Sequence, residues 1–300
     1  ATANVTHSDV TGGYGGTANI NTDPLYVNAA GGDYSLQVGS PCIDAGDPLQ
    51  PLDPDGTVAD MGSYYYDQRT YVTGTITTTT WTEALGPYNV TGTITVPAGN
   101  TLTIEPGVEV LFDANVGMEV FGTIQTHGVE GDSVVFAPGL SPEWDGLWIS
   151  DLTQQSVLNY TVIRGTYESA ALGIGEPEPD SPTDTVEVHI NHCSIRENVG
   201  FMGDMAAGFA AIIARVYMND TKIHDNIGGF GPGVLAIGSR VEMSNCEMYR
   251  NEAMFGSAVM SFISDPFGDM GAEKLARPAK TSKIAKTSKI GRLAENGFYV

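Results

Sequence analysis

The chain has 300 residues, of which 41% are hydrophobic, and a formal net charge of −22. This length allows one long solenoid or two domains, and the hydrophobic content is sufficient for a core. So strong an acidic excess should repel nucleic acid and anionic membranes. No apolar run reaches the roughly 18 residues that a membrane-spanning helix requires. The composition therefore argues against nucleic-acid partners and against a transmembrane segment.

Residues 1–68 form the first predicted unit. Residues 19–68 read NINTDPLYVNAAGGDYSLQVGSPCIDAGDPLQPLDPDGTVADMGSYYYDQ. This run resembles the segment that closes a β-helix in large secreted bacterial proteins. The resemblance implies that residues 1–68 end a preceding β-helix unit, that the chain is part of a longer parent protein, and that this protein is extracellular or on the bacterial cell surface.

An Asp-rich stretch, IDAGDPLQPLDPDGTVAD, lies inside this first unit. Closely spaced carboxylates supply the oxygen ligands that a hard cation prefers. Asp53, Asp55 and Asp60 are therefore predicted calcium ligands, with Asp44 and Asp47 close by in sequence. The alternative is that Asp-Pro-Asp-Gly forms turns and that the other aspartates cap the backbone.

Residues 69–87 are rich in Thr and contain Gly86-Pro87, and we interpret them as a linker. From residue 88 to residue 136, apolar and polar residues alternate with a period of two, and Pro-Gly turns separate the runs. The run GTITVPAGNTLTIEPGVEVLF resembles the entry coils of right-handed parallel β-helix proteins of the pectin-lyase-like superfamily. The resemblance covers about residues 1–263, and the β-helix itself is predicted over residues 88–263.

Four later segments share one register. They are LNYTVIR, INHCSIR, MNDTKIH and MSNCEMY, which begin at residues 158, 190, 218 and 243. Repeats with this period, each holding a short strand, indicate a solenoid in which every coil buries its apolar edge against the next. The predicted fold class is therefore all-β, a right-handed parallel β-helix solenoid.

The register also predicts the interior. Val186, Val188, Ile190, Cys193, Ile195, Val216, Met218, Thr221, Ile223, Val241, Met243, Cys246 and Met248 should point inward. Cys193 and Cys246 should share one column two coils apart, roughly 9–10 Å, which is too far for a disulfide. An Asn that recurs three residues past each Ile or Met, at 198, 226 and 251, should form a ladder whose amides satisfy buried backbone groups.

Two segments depart from the coil pattern. Residues 171–185 (ALGIGEPEPDSPTDT) are acidic and Pro-rich, and we interpret them as a loop that leaves the solenoid. Residues 264–300 are basic, repeat the hexapeptide AKTSKI, and are predicted to be a disordered low-complexity tail.

The candidate ligand-binding face is a column of outward residues. The position after each repeated Ile or Met holds Arg164, Arg196, His224 and Tyr249 in successive coils. Like charges stacked in this way are destabilising, and a polyanionic ligand would offset that cost. In polysaccharide lyases of the resembled superfamily the substrate lies across such a face and a Lys or Arg acts as base, which implies Arg196 and Lys222 as candidate catalytic residues. The alternative is that neighbouring acids, such as Glu247, pair with these cations.

Other arrangements are less specific. Paired carboxylates for glycoside hydrolysis could be Asp180 with Asp184, or Asp220 with Asp225, but sequence spacing does not show their separation. His189 and His192 have weak metal spacing. Trp144, Trp148 and Tyr64–Tyr66 are aromatic groups that either stack on sugars or fill the core.

The predicted function is a secreted or cell-surface scaffold for adhesion or glycan binding, non-catalytic, with a polysaccharide or cell-surface glycan as partner. The alternative is a polysaccharide lyase or glycoside hydrolase that acts on an acidic polysaccharide. A cleft on the outward column that holds a titratable group with a shifted pKa would favour the enzyme.

Overall fold

The computed structural model describes residues 4–140, 143–153, 155–167, 169–175, 186–200, 207–229, 231–253 and 259–262. The chain divides into two compact units, Ala1–Arg69 and Thr70–Val300. The predictions for residues 176–185 and for the tail at 264–300 lie outside the described residues.

The described regular structure is almost entirely strand. Two short 3-10 helices span Ala29–Gly31 and Glu83–Leu85. The strands, in chain order, are β1 (Tyr26–Asn28), β2 (Asp33–Leu36), β3 (Thr70–Thr75), β4 (Thr79–Trp81), β5 (Tyr88–Val96), β6 (Thr101–Ile104), β7 (Glu109–Phe112), β8 (Met118–Val120), β9 (Thr123–His127), β10 (Val134–Pro138), β11 (Leu147–Ile149), β12 (Val157–Asn159), β13 (Thr161–Arg164), β14 (Leu172–Gly175), β15 (Val186–Asn191), β16 (Ser194–Arg196), β17 (Phe209–Ile212), β18 (Ala214–Asn219), β19 (Lys222–His224), β20 (Ile227–Gly228), β21 (Val234–Ile237), β22 (Arg240–Ser244), β23 (Glu247–Tyr249), β24 (Glu252–Ala253) and β25 (Val259–Phe262).

The first unit is held by a small core and a hairpin. Strands β1 and β2 pair antiparallel, and the side chain of Asn28 caps the intervening 3-10 helix. Leu36, Cys42 and Met61 form the buried cluster. The origin of this unit as the end of a preceding β-helix stays a prediction.

The second unit is a parallel β-solenoid of about six turns. Each coil contributes one strand to each of three faces. Face one consists of β4, β6, β9, β12, β15, β18 and β22, and face two of β7, β10, β13, β16, β19 and β23. Face three consists of β8, β11, β14, β17, β21 and β25, and β5 runs through the corner so that it pairs with both β7 and β8. The predicted all-β parallel solenoid is confirmed.

The predicted linker at residues 69–87 is wrong for most of its length. Strand β3 pairs with β5 and β4 pairs with β6, so the solenoid starts at Thr70 rather than at residue 88. Threonine is β-branched and suits a pleated, half-buried surface, which is why a Thr-rich stretch forms strands here. Trp81 supplies the inward anchor, because its ring is buried and stacks on Tyr88 with centroids 4.5 Å apart. The predicted loop at 171–185 also begins as strand, since Leu172–Gly175 is β14.

Like residues stack on like residues inside the coils. On face two the in-register inward residues are Val110, Phe136, Ile163, Ile195, Ile223 and Met248. All but Met248 are buried, and Met248 packs against the same cluster. Burial of each such side chain stabilises the fold by about 1.5–3 kcal/mol. The predicted inward residues are confirmed, with Met248 the least enclosed.

Two rows of left-handed residues turn the chain between faces. Tyr160, His192, Asp220 and Asn245 have positive φ where face one meets face two. Glu197, Asp225 and Arg250 have positive φ where face two ends, and Gly165 (φ 72°) occupies that place in the earlier coil. A Cβ at Gly165 would lie 2.7 Å from Pro138, so a larger residue does not fit there.

The predicted Asn ladder is present at the second of these turns. Asn198 Nδ2 donates to Asn226 Oδ1 at 2.8 Å, and Asn226 Nδ2 donates to Asn251 Oδ1 at 2.9 Å. The same amides donate to the carbonyl oxygens of Ile163, Ile195 and Ile223. Thr166 ends the ladder, since its N–H donates to Asn198 Oδ1. Each buried amide therefore satisfies backbone as well as side chain.

Candidate functional site

Strand register places the predicted ligand-binding residues in one outward column. Arg164 pairs with Arg196, Arg196 with His224, and His224 with Tyr249. Neighbouring strands are about 4.8 Å apart, so four coils give a column roughly 15 Å long. Lys222 lies on the same face two residues before His224, and Arg250 follows Tyr249 at the turn. These six residues are called the face-two strip: Arg164, Arg196, Lys222, His224, Tyr249 and Arg250.

The face-two strip concentrates positive charge in an acidic chain. Residues 1–263 hold seven Lys and Arg, and four of them belong to the strip. Residues 70–163 contain no Lys or Arg at all. The first half of the solenoid therefore lacks Lys and Arg, whereas the second half carries four cations on the face-two strip and two, Arg215 and Arg240, on face one. An anionic ligand would be attracted most strongly to the strip, where the cations are most numerous.

Most of these cations have a nearby carboxylate. Arg196 Nη1 lies 2.6 Å from Glu197 Oε2, and Lys222 Nζ lies 3.6 Å from Glu247 Oε2. Arg250 Nη2 donates to Asp225 Oδ2 at 2.7 Å. Within the described residues, no carboxylate oxygen lies within 4.0 Å of an Arg164 side-chain nitrogen. The predicted alternative, internal pairing, therefore holds for three of the four strip cations, and Arg164 has no such partner among the described residues.

The side chain of His224 is more enclosed than those of Arg196, Lys222 and Arg250. Its side chain is 12% exposed, and Nδ1 lies 2.6 Å from Asp225 Oδ2. Nε2 lies 3.3 Å from Ser194 Oγ, and the ring stacks on Tyr249 with centroids 4.6 Å apart. Hydrogen bonds from Arg250 and then from His224 hold the pKa of the Asp225 carboxyl well below its usual range. Asp225 is therefore a fixed anion between two donors.

The candidate catalytic residues are not arranged as a base. A base must accept a proton, and the guanidinium of Arg196 directs its N–H groups at Glu197. Lys222 is more than half exposed and faces Glu247 in register. This geometry suits electrostatic binding better than proton abstraction.

The predicted calcium ligands lie in the first unit and serve the backbone. Asp53 accepts from the N–H of Asp60, and Asp55 accepts from the N–H groups of Thr57 and Gln68. Burial raises the pKa of Asp60, although the N–H groups of Tyr66 and Asp44 donate to its carboxylate. In the part of the chain that the structure describes, no group of three or more His, Cys, Asp or Glu could hold a metal ion. The turn-and-cap alternative is the arrangement observed, and calcium stays a prediction.

Of the carboxylate pairs suggested for glycoside hydrolysis, the structure describes Asp220 with Asp225. Asp225 is occupied by Arg250, and Asp220 contacts His192 at 4.0 Å at the other end of the strand. Asp180 and Asp184 lie outside the described residues. The structure brings together a different pair that the sequence did not indicate. Glu83 and Glu109 both line a cavity of about 340 Å³. Glu83 lies in the stretch predicted to be a linker, and Glu109 lies in strand β7 of the next coil.

Aromatic side chains divide between core and surface. Trp144 is buried, stacks on Phe112 with centroids 4.2 Å apart, and donates to the carbonyl of Arg164. Trp148 lies outside the coil over Gly173, where an added Cβ would come within 1.9 Å of its ring. Tyr64 and Tyr65 are exposed in the first unit. Core packing is therefore confirmed for Trp144 but not for Trp148.

Face one carries a second surface that the sequence reasoning did not find. Tyr160 stacks on His192, and His189 stacks on Tyr217. Because each histidine sits in its own stack and faces its own carboxylate, the two do not form a common metal site. His189 lies 3.5 Å from Glu187, for example.

An outer amide ladder runs beside these rings. Asn191 Nδ2 donates to Asn159 Oδ1 at 2.9 Å, and Asn219 Nδ2 donates to Asn191 Oδ1 at 3.1 Å. The recurrent Asn or Ser at the second position of the repeat was the signal for it. The sequence analysis predicted a ladder only for the inner asparagines.

The thiols are unbridged. All three cysteines are free and buried. The N–H of Cys193 donates to Thr221 Oγ1, and the register from Ser194 through Lys222 to Glu247 places Cys193, Thr221 and Cys246 in one column. Burial raises the pKa of the Cys193 thiol to about 12. The prediction of two small buried hydrophobes is confirmed.

Comparison with known proteins adds no family. No family model, no curated protein and no solved structure matches this chain. No helix in the described part of the chain is long and apolar enough to cross a membrane.

Proposed function

We propose that this chain is a secreted or cell-surface scaffold that binds acidic polysaccharide along the face-two strip without cleaving it. One observation carries the proposal: four of the seven Lys and Arg of residues 1–263 lie on one edge of a solenoid whose other coils are acidic. Carboxylates or sulfates spaced along a polysaccharide could be contacted in consecutive coils by side chains that repeat at the strand spacing.

Arg164 and Arg196 are the core of the proposed site. They are in register, and Arg164 has no carboxylate within 4.0 Å among the described residues. The two residues lie on neighbouring strands about 4.8 Å apart, so their like charges repel each other, and an anion bound by both would reduce that repulsion. Tyr249 extends the column and stacks on His224, and the guanidinium of Arg250 lies 4.9 Å from its ring centroid.

The proposal extends to ancestry and setting. Stacked parallel coils, three faces and an internal Asn ladder are features that we expect of the pectin-lyase-like superfamily of right-handed β-helices, and we place the chain there as a working hypothesis. A longer parent protein on the bacterial surface would give such a scaffold its anchor. Calcium, if it takes part, would act through Asp53, Asp55 and Asp60, so each binding measurement is made with calcium and with chelator.

The test is binding of the whole chain to polygalacturonate, with dextran as the neutral polysaccharide. The Arg164→Ala/Arg196→Ala variant should lose roughly tenfold in affinity. Arg215→Ala/Arg240→Ala is the matched control, because it removes the same charge from two in-register arginines on face one. We expect that control to change affinity by less than about twofold. Equal losses in both variants would show that only net charge matters and would refute a site on face two.

The alternative is an enzyme, and one observation favours it: the cavity that Glu83 and Glu109 line. Glycoside hydrolysis uses two carboxylates on either side of the scissile bond, a role that Glu83 and Glu109 would have to fill, whereas lyase chemistry would use Arg196. New reducing ends that form without unsaturated ends and disappear in Glu83→Gln or Glu109→Gln would establish a hydrolase. New unsaturated ends that disappear in Arg196→Ala would establish a lyase, and unchanged polysaccharide supports the scaffold.

A further inference from the structure

His224 is held in a network that couples it to the charges of the face-two strip. Its Nδ1 lies 2.6 Å from Asp225 Oδ2, and its Nε2 lies 3.3 Å from Ser194 Oγ. The hydroxyl of Ser194 can either donate to a neutral ring or accept from a protonated one. The network can therefore hold the imidazole in both charge states without rearrangement.

Every charged or titratable neighbour of His224 can be named from the described coils. In the preceding coil they are Arg196 and Glu197, in the following coil Glu247, Tyr249 and Arg250, and in its own coil Lys222 and Asp225. Arg196 and Lys222 each have a carboxylate of their own within 4.0 Å. Arg250 and His224 share one carboxylate, that of Asp225.

The shared carboxylate determines the net charge around His224 before and after the imidazole takes up a proton. Arg250 makes two hydrogen bonds to Asp225, so the carboxylate is compensated before the imidazole gains a charge. Because Arg250 already compensates the charge of ionised Asp225, the group formed by Arg250, Asp225 and His224 is neutral while the imidazole is neutral and carries one positive charge when it is protonated. Histidine is the side chain that ordinarily changes charge between pH 5 and 8.

We propose that His224 makes the face-two strip pH-sensitive, so that proton uptake adds a cation beside Arg196 and strengthens the binding of an anionic polysaccharide. This inference rests on the proposed function. It adds a regulation of the same site: the strip would hold its ligand more tightly in acidic surroundings and release it towards neutral pH. His224 lies between Arg196, its register partner in the preceding coil, and Tyr249, on which its ring stacks in the following coil.

The experiment compares polygalacturonate binding at pH 5.5 and pH 8 at constant ionic strength. One added strip charge should tighten binding roughly two- to fivefold at the lower pH. His224→Gln should remove most of that pH dependence and bind at both values as the parent does at pH 8. His192→Gln is the matched control, since His192 also stacks on a tyrosine but lies on the other corner, and its pH dependence should stay.

The outcomes separate the two proposals. Absence of binding at both pH values overturns the proposed function and the switch together. Binding that is lost in Arg164→Ala/Arg196→Ala but does not vary with pH keeps the function and overturns the switch. A pH dependence that survives in His224→Gln also overturns the switch. Matching thermal melts of the variants and the parent establish that each variant is folded.

Discussion

The inner and outer amide ladders of this solenoid both consist of asparagines, but their amides have different hydrogen-bond partners. Asn198, Asn226 and Asn251 lie inside a turn, where each amide donates to a backbone carbonyl. Asn198 and Asn226 also donate to the next amide. Asn159, Asn191 and Asn219 lie on face one, and the amides of Asn191 and Asn219 donate to the neighbouring amide. The inner ladder satisfies buried backbone carbonyls that water cannot reach, whereas the hydrogen bonds of the outer ladder compete with hydrogen bonds to solvent.

The same contrast holds for charge and thiols. Inside the coils, polar groups such as Thr221 and Cys193 are buried and bonded to one another or to backbone. Outside, cations pair with carboxylates that remain partly exposed, as Arg196 does with Glu197. The buried interior should determine stability, and under the proposed function the exterior determines recognition, so mutations should separate into two classes.

The largest expected contrast is in thiol reactivity. Burial raises the pKa of Cys193 to about 12 and also raises the pKa of Cys246. Cys193 should react with a thiol reagent at pH 8 roughly a thousandfold more slowly than a cysteine introduced by Ser244→Cys on the exposed side of β22, and Cys246 should also react more slowly than that cysteine. Labelling followed by mass spectrometry measures this. Fast labelling of Cys193 in the folded chain would refute the interior register.

A large loss of stability should follow Asn226→Ala. The change removes the acceptor for Asn198 Nδ2 and the donor to the carbonyl of Ile195, and both groups are buried. We expect a loss of about 2–4 kcal/mol in the free energy of unfolding, measured in urea. Asn219→Ala on the outer ladder is the control and should cost less than about 1 kcal/mol. Equal costs would erase the distinction between the ladders.

Acid should weaken the turn that Asp225 closes. Its folded-state pKa is lowered by Arg250 and His224, so its stabilising contribution is complete above the unfolded-state pKa, near 4 for Asp. That contribution is lost as pH falls below about 4 towards the lower folded-state value. Asp225→Asn should therefore lower the melting temperature at pH 6 and bring the variant and the parent closer together at pH 3.

Asp220→Asn provides the control for that acid experiment. Asp220 makes a 4.0 Å contact with His192 at the other turn of the same coil, so its removal should change the pH profile less. A larger effect at Asp220 than at Asp225 would contradict the assignment of Asp225 as the fixed anion.

The smallest stability effect is expected on the face-two strip. Arg164→Ala/Arg196→Ala removes partly exposed charges and one ion pair, and it should shift the free energy of unfolding by no more than about 0.5–1 kcal/mol. The same variant carries the proposed loss of binding. A loss of several kcal/mol would mean that the strip is a structural element and would weaken the binding proposal.

Much of the fold could be read from the sequence because a solenoid repeats its constraints. Each coil places Ile, Met, Thr or Cys at the same inward position, so the register of residues 158–249 followed from four aligned segments. The Thr-rich strands β3 and β4 could not be found in this way, because they precede the repeats and their inward residues are sparse. Trp81 and its stacking partner Tyr88 reveal them only in three dimensions.

The candidate site was accessible from sequence only in part. The column Arg164, Arg196 and His224 follows from the register alone, and the structure has it as predicted. The role of Arg250 was missed, because a left-handed residue at the turn sends its side chain back to Asp225 in the previous coil. The cavity at Glu83 and Glu109 was missed because its two residues come from different coils.

Side-chain footprinting with hydroxyl radicals, with and without polygalacturonate, tests the central claim most directly. The chain offers matched reporters, because Tyr249 stacks on His224 at face two and Tyr217 stacks on His189 at face one. Recognition at the face-two strip predicts that the ligand protects Tyr249 and leaves the oxidation of Tyr217 unchanged. Protection of Tyr217 alone, or equal protection of both, would contradict it.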